Sequence, residues 1–363
     1  MKIFYSFSGY GYGHASRSST VIEFLRKLGH QVKAATYGQG FRFVQEIGLT
    51  DVVEIKGFKI YYHNNQLSSL KTLLQFFKQS PKIFFSNLSK FRKVLNDFQP
   101  DLIISDFEPF SVYWSKWKKL PLITVDNQSV LFKTRFRLPS KFLSHYLLVA
   151  GVVGLFAPKA EMGFILSFNP KLTPIIKRYL KHCCFVPPIL RKKIFLLQPT
   201  NQNFILVYQT APIYQKKMAR VLSQFPRVKF HVYNSGLKTA LRDNMIIKNF
   251  SEDEFLNDLA NCQAVITNGG FTLISEAIYL NKPILSLPIK GDSEQIFNAI
   301  LLEKSGYGKF AEDLDNQVLQ DFLSNLDFFV KNLRTYKQER NKIFEDKLKK
   351  ILESLGTQIA KAD

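Results

Sequence analysis

Short runs rich in β-branched and aromatic residues alternate along this chain with segments of helical apolar spacing, and the alternation starts twice. The first round opens with KIFYSFS (2–8), a glycine-rich turn, and SSTVIEFLRKLG (18–29). In that segment Val21, Ile22, Leu25 and Leu28 recur at helical spacing, and Gly29 sits where a helix would end. HQVKAATYG (30–38) reads as a second strand. LSSLKTLLQFFKQ (67–79) and IFFSNLSKFRKVLNDF (83–98) read as two helices split by Pro81. PDLIISDF and PLITVDN read as buried strands ending on Asp106 and Asp126. After VPPILRKKIFLLQPTNQ (186–202) the pattern restarts with NFILVYQT, and it runs through QAVITNGG, FTLISEAIYLN and KPILSLPI before a charged, helical end. Strand–helix alternation of this kind dictates parallel sheets covered by helices. The fold class is therefore α/β, with two Rossmann-like domains. The expected partition is 1–186, a linker at 187–202, a second domain at 203–330, and C-terminal helices and tail at 331–363. Ligands of such sheets gather at the carboxyl ends of strands, so a cleft between the strand ends of both halves is expected.

Charge narrows the partners. The chain of 363 residues carries a formal net charge of +21, and residues 1–190 hold 26 Lys and Arg against 10 Asp and Glu. A basic first half suits an anionic partner such as a phosphorylated substrate, an anionic membrane surface or nucleic acid. Segment 71–93 interleaves Leu73, Leu74, Phe76, Phe77, Phe84, Phe85 and Phe91 with six basic residues and no acidic one. That mixture suits an interfacial amphipathic segment, or phenylalanines packed on a sheet. The apolar run from Tyr146 to Pro158 is too short to span a bilayer, which needs roughly 20 apolar residues. It reads as a buried helix, a turn, and a strand in MGFILSF, with shallow membrane insertion as the alternative. Three cysteines, two of them adjacent, make neither a disulfide framework nor a zinc site. No signal peptide is read at MKIFYSFSG, so the expected location is cytoplasmic, with peripheral association on the inner face of the cell membrane.

The glycine-rich turn is GYGYGHASRS (9–18). A dinucleotide fingerprint needs G-x-G-x-x-G and an acid about 20 residues on, and a P-loop needs a lysine; neither is here. Gly9, Gly11 and Gly13 instead form a loop that admits a ligand closely and delivers His14 to a helix N-terminus. A histidine bonded to its own helix start is the plainer reading.

The richest stretch is TNGGFTLISEAIYLNKPILSLPIKGDSEQIFNA (267–299). Asn268, Gly269 and Gly270 end a strand and open a helix, where free amides and the helix dipole suit a diphosphate. Thr272 adds a hydroxyl, Glu276 one turn on can bridge two ribose hydroxyls, and Glu294 with Gln295 suits several sugar hydroxyls.

These residues resemble the donor signature of two-Rossmann-domain (GT-B) glycosyltransferases of the UDP-sugar branch, H-x-G-x-N-x-x-x-E followed by [DE]-Q-x-x-N-A. Asn268 stands at the pattern's His, Gly270 at its Gly, Thr272 at its Asn and Glu276 at its Glu, with Glu294-Gln295 and Asn298-Ala299 on the closing element. Asn268 departs from the pattern and supplies no positive charge. GYGYGH looks like the acceptor-side loop of that fold, whose His is a general base, and LIISDFEPF like the segment supplying its Asp, here Asp106. GYGHASRS, SDFEP and VDNQS (125–129) together resemble a little-characterised bacterial and archaeal GT-B family related to the peptidoglycan N-acetylglucosaminyltransferase and the glycolipid synthases. The resemblance implies an inverting transferase that moves a sugar from a nucleotide diphosphate sugar, UDP-linked, to a hydroxyl acceptor, and it implies hardly anything about that acceptor. The basic first half and segment 71–93 make a lipid-linked or glycolipid acceptor the expectation. His14 and Asp106 are its expected catalytic pair, and Asp126 and Asn127 are expected to face the acceptor. No cofactor, no metal and no nucleic-acid partner are expected. The alternatives are a sugar-nucleotide epimerase or hydrolase on the same fold, or a non-enzymatic basic protein that binds lipid or nucleic acid.

Overall fold

The structure is a computed structural model, and it describes residues 1–57, 62–63, 66–67, 69–136, 138–143, 146, 150–151, 153–154, 160–209, 212–233 and 242–359. They form two compact units. The first comprises Met1–Tyr61, Ser69–Arg191 and Glu339–Asp363, and the second Tyr62–Ser68 and Lys192–Gln338.

The first unit is built on β1 (Lys2–Phe7), β2 (Gln31–Thr36), β3 (Val52–Glu54), β6 (Leu102–Asp106), β7 (Leu122–Asp126), β8 (Met162–Leu166) and β9 (Cys183–Val186). All pair in parallel, in the order β3-β2-β1-β6-β7-β8-β9. The chain reverses its direction across the sheet between β1 and β6, where Phe7 lies opposite Asp106. That is the topological switch point, at which the adjoining loops part and leave a crevice. β4 (Tyr62–His63) and β5 (Gln66–Leu67) form a separate antiparallel pair.

Four helices flank the switch point or pack beside it: α1 (Tyr12–Lys27), α2 (Gly38–Glu46), α3 (Ser69–Phe98) and α4 (Pro109–Lys118). α1 starts at Tyr12, so His14 stands in its first turn and the helix begins ahead of the apolar periodicity, because Gly11 takes a φ of +73° at the N-cap and turns the chain straight off β1 into the helix. One helix differs from expectation: α3 is a single helix with Pro81 inside it, not two. Proline removes one backbone donor, while buried Ile83, Asn87, Phe91 and Leu95 keep a single four-residue spacing past it. Asn87 fixes the helix to the loop after β3, accepting from the Lys56 amide at 2.9 Å and donating to its carbonyl at 2.8 Å. Phe91 packs with Phe4, Ile103, Phe110 and Trp114 in the core. The strand expected in MGFILSF is β8; residues 147–149, 152 and 155–158 of the preceding apolar run lie outside the described residues. Among the described residues no helix is long and apolar enough to cross a membrane.

The second unit repeats the plan with β10 (Phe204–Tyr208), β11 (Lys229–Tyr233), β12 (Met245–Lys248), β13 (Ala264–Thr267), β14 (Ile284–Ser286) and β15 (Gly308–Phe310). They pair in parallel in the order β12-β11-β10-β13-β14-β15, so the switch point lies between β10 and β13.

The end of the chain divides differently from the expected 331–363 appendage. Helices Asn316–Ser324 and Leu326–Leu333 belong to the second unit, whereas Lys342–Ile359 belongs to the first. Asn341 anchors that return. Its side chain, 6% exposed, accepts from the Leu190 amide at 3.0 Å and donates to the Leu190 carbonyl at 2.9 Å. Phe344 then packs edge-on against Phe164 of β8, with centroids 5.2 Å apart. Helical periodicity specifies such a helix but not the sheet that receives it. Asn341→Ala leaves two buried backbone groups unpaired and should lower stability by about 1–3 kcal/mol, read as a fall in the urea midpoint.

Candidate active site

The carboxyl ends of β1, β6 and β7 bring a polar cluster together around one buried carboxylate. Asp106 ends β6 and is fully buried. Because α1 begins at Tyr12, His14, Arg17 and Ser18 lie on one face of its first turns and all reach Asp106. His14 Nδ1 is 2.8 Å from Oδ1, Arg17 donates from Nε to Oδ2 at 2.6 Å and from Nη2 to Oδ1 at 2.5 Å, and Ser18 donates to Oδ2 at 3.0 Å. Burial alone would raise the Asp106 pKa; the charges and hydrogen bonds of Arg17 and His14 override it and hold the carboxyl at about 2. Glu108, also buried, takes the turn-capping role instead, accepting from the Phe110 and Ser111 amides at the start of α4. Burial raises its pKa.

The segment after β7 closes the cluster. Arg17 Nη1 donates to Asn127 Oδ1 at 3.0 Å, and Gln128 Nε2 stands 3.2 Å from His14 Nε2. An amide donor on Nε2 places the ring proton on Nδ1, where it donates to Asp106. Arg17 Nη2 also lies 2.8 Å from Nδ1, but it has the ionised carboxylate to donate to, and that carboxylate is the acceptor that Nδ1–H requires. His14 thus presents an oriented Nε2 lone pair from a ring only 9% exposed. Asp126 is buried beside this group, but its Oδ1 accepts from the Ser129 amide at 2.6 Å, and burial raises its pKa against the charge of Lys133. It shapes the turn that aims Asn127 and Gln128.

The glycines shape the turn. A Cβ on Gly9 would lie 1.7 Å from the Tyr37 carbonyl oxygen, so only glycine lets β1 end against the start of α2. The Gly9 carbonyl accepts from the Gly40 amide, and the Gly11 amide donates to Gln39 Oε1 at 3.0 Å. Gly13 lies inside the first turn of α1.

In the second unit the loop after β13 lies at the other switch point. Helix Phe271–Tyr279 follows with Gly270 at its N-cap and no side chain capping it, so the helix start retains its dipole's positive end. Gly269 differs from the expectation of a free amide. It donates to Gln295 Oε1 at 3.3 Å, the same oxygen that accepts from Ile289 at 3.0 Å, and Asn298 donates to the Gly269 carbonyl at 3.0 Å. A Cβ on Gly269 would sit 2.2 Å from the Gln295 carbonyl oxygen. Gln295 and Asn298 therefore hold the loop against the helix Ser293–Lys304. Asn268 is 5% exposed and donates to the Leu287 carbonyl at 3.5 Å. Glu276 is fully buried on its helix, while Thr272 and Glu294 are half-buried. Asp292 caps the helix Ser293–Lys304, accepting from the Gln295 amide at 3.1 Å; burial and the neighbouring Glu294 push its pKa up to about 7.

Two features of the structure have no counterpart among the residues singled out by sequence. Arg17 stands in GYGYGHASRS without an assigned role, although a helix begun at Tyr12 puts it one turn from His14. Asp313-Leu314-Asp315 is a D-x-D triplet of the kind that can hold a metal. Here Asp313 pairs with Lys217 at 2.6 Å, and Asp315 caps a helix by accepting from Val318 at 2.8 Å. Among the described residues no three His, Cys, Asp or Glu side chains are grouped to hold a metal ion.

Comparison with known proteins gives the family and the fold. The profile of glycosyl transferase family 1 matches residues 1–327, and the chain belongs to that family. An uncharacterized glycosyltransferase of Methanosarcina acetivorans is 24% identical over 339 residues, 85% of each chain. One from Methanosarcina mazei is 23% identical over 342 residues, again 85% of each. Among solved structures, the kitacinnamycin glycotransferase superposes with a TM-score of 0.68 at 14% identity, covering 96% of this chain and 98% of its own. CalG4, the calicheamicin glycosyltransferase, does so with 0.67 at 15% identity, covering 97% and 98%. The fold is thus GT-B and the protein is a glycosyltransferase, which sets aside the epimerase, hydrolase and non-enzymatic readings.

Arg17→Met tests the cluster. It leaves the Asp106 carboxylate buried without its main counter-charge and should cost about 3–5 kcal/mol at neutral pH. The folded pKa of Asp106 is depressed, so the pairing contributes fully above the unfolded value of about 4 and is lost as pH falls toward about 2. The deficit of the variant should therefore shrink across that window, as followed by denaturant titrations at several pH values.

Proposed function

We propose that this glycosyltransferase is an inverting enzyme that moves a sugar from a nucleotide diphosphate sugar, UDP-linked, to a hydroxyl on a lipid-linked or glycolipid acceptor. The observation that carries the reading is the oriented imidazole. Asp106 fixes His14 through Nδ1, and Nε2 is the atom left to take a proton. In the reaction the acceptor oxygen forms a bond to the anomeric carbon, the bond from that carbon to the diphosphate breaks, and the acceptor proton passes to His14 Nε2. Gln128 occupies that lone pair in the structure, so the acceptor hydroxyl takes its place. Attack from the face opposite the leaving group inverts the anomeric centre.

The donor is assigned to the second unit. The uncapped start of the helix Phe271–Tyr279 favours the diphosphate and stabilises it as it leaves, so no metal is required in this reading. Thr272 adds a hydroxyl there, Glu276 holds the ribose, and Glu294 meets the sugar. A spinosyn rhamnosyltransferase, SpnG, solved in complex with thymidine diphosphate, shares this fold with a TM-score of 0.63 at 15% identity over 93% of this chain and 95% of its own. A pyrimidine nucleoside diphosphate is consistent with that neighbour.

Two experiments test the reading. His14→Ala should reduce transfer by about 10²–10⁴ while leaving UDP affinity unchanged. Near-normal turnover would move the base elsewhere. Glu276→Gln and Glu276→Ala should weaken UDP binding roughly tenfold or more in calorimetry, since hydrogen bonds to a charged group contribute about 1.5–3 kcal/mol. An unchanged dissociation constant in a folded Glu276→Gln protein would remove the ribose assignment. A screen of nucleotide sugars by thermal shift identifies the donor, because a ligand at about 100 times its dissociation constant adds roughly 2.7 kcal/mol.

A further inference from the structure

Helices α3 and α4 carry an aromatic ladder that comes to the surface at both ends. Phe85 meets Phe84 at 5.8 Å between centroids, Phe84 meets Phe110 at 5.4 Å, and Phe110 meets Phe91 at 4.3 Å. The ladder continues through Trp114, 6.3 Å from Phe91, to Trp117, 5.1 Å further. Its middle is core, with Phe91 1% and Trp114 3% exposed. Its ends are not: Phe85 is 68%, Trp117 59% and Phe84 44% exposed. Along α3, therefore, Phe91 packs as core whereas Phe84 and Phe85 are exposed. The side chains of Leu73, Leu74, Phe76 and Phe77 lie outside the described residues.

The charge around the ladder is mostly basic, with Asp97 the one acidic residue of α3 and α4. Residues 78–96 and 109–119 contain eight lysines and arginines and no acidic residue, and all eight are exposed. Two of these lysines hold their ammonium groups over the rings: Lys118 Nζ is 5.0 Å from the Trp117 centroid and 5.7 Å from that of Trp114, and Lys116 Nζ is 5.7 Å from that of Tyr113. Cations set beside exposed aromatic rings match the boundary between acyl chains and anionic headgroups. A second copy of the chain does not fit, because a self-complementary contact would set the same cations against themselves. Large exposed aromatics on helices, rather than in a groove, place a bilayer ahead of a nucleic acid.

We propose that the α3–α4 face, with Phe85 and Trp117 as its inserting ends, docks the protein on an anionic lipid bilayer. The inference rests on this face alone and not on the donor or base assignments, so it stands or falls separately from them.

The chain has two tryptophans, and Trp114 is already buried, so fluorescence reports on Trp117. The intact protein is mixed with vesicles of phosphatidylcholine alone, with vesicles of phosphatidylcholine and phosphatidylglycerol, and with a single-stranded oligonucleotide. The expected result is a blue shift and co-sedimentation with the anionic vesicles only, weakening as salt rises. Phe85→Ala with Trp117→Ala should reduce vesicle partitioning roughly tenfold or more, with circular dichroism and the thermal midpoint unchanged. Trp117→Phe should abolish the shift but keep the sedimentation. No shift and no sedimentation at low salt overturns the proposal, as does undiminished partitioning of the double alanine variant. Binding of the oligonucleotide in place of the vesicles overturns it in favour of a nucleic-acid surface.

Discussion

The first unit is organised around the cost of burying the Asp106 carboxylate. An isolated charge in that position would cost several kcal/mol, and the chain offsets the cost with a guanidinium, an imidazole and a hydroxyl from a single helix. All three partners come from the first turns of α1, so that helix can start in only one place. Its start in turn requires the positive φ of Gly11 and the closeness of Gly9 to Tyr37. The partners are displayed at the switch point because β1 and β6 are neighbours there, with Phe7 opposite Asp106. The turn after β7 adds Asn127 and Gln128 to the same cluster. A basic side chain in the first turns of a helix, where the dipole disfavours it, becomes the counter-charge of the site.

Most of the strands, and the pairing of His14 with Asp106, are legible in the sequence. Strands buried on both faces read as continuous apolar runs and end on polar residues. Ile103 and Ile104 before Asp106, and Val125 before Asp126, are of this kind. What sequence misses is local. YGHASRSS has no apolar periodicity, since its buried residues other than Ala15 are polar, and a hydrophobic pattern cannot announce a helix whose hidden face is charged. Arg17 goes unassigned for the same reason. Pro81 reads as a break because propensity counts the missing donor and not the continuous contacts of Ile83, Asn87 and Phe91. The return of Lys342–Ile359 to the first unit depends on Asn341 and Phe344 meeting Leu190 and Phe164, which no local signal encodes.

The two units repeat one topology and solve the same problem with different chemistry. In the first, the switch point holds an ion pair and a histidine with little conformational freedom. In the second, it holds glycine, glutamine and asparagine. Gln295 spans two backbone amides, Asn298 takes the Gly269 carbonyl, and the glycine admits both because it has no side chain. Neutral amides fix a loop without adding a field of their own. The helix Phe271–Tyr279, whose first turn no side chain caps, adds the positive end of its dipole there.

A donor signature therefore specifies more than contacts. By sequence its closing glutamine suits sugar hydroxyls, yet its carboxamide oxygen is engaged in shaping the loop. Part of the pattern therefore also fixes the position of a helix start. The same reasoning accounts for Asn268, where the pattern has a histidine. A buried imidazolium would need a counter-ion, whereas the Asn268 side chain donates to a backbone carbonyl, which an amide satisfies without charge. Asp292 follows the same rule, since a carboxyl pushed up to about 7 gives up much of its charge near neutral pH. Asn268 and Asp292 thus bring little charge of their own to the uncapped start of the helix Phe271–Tyr279.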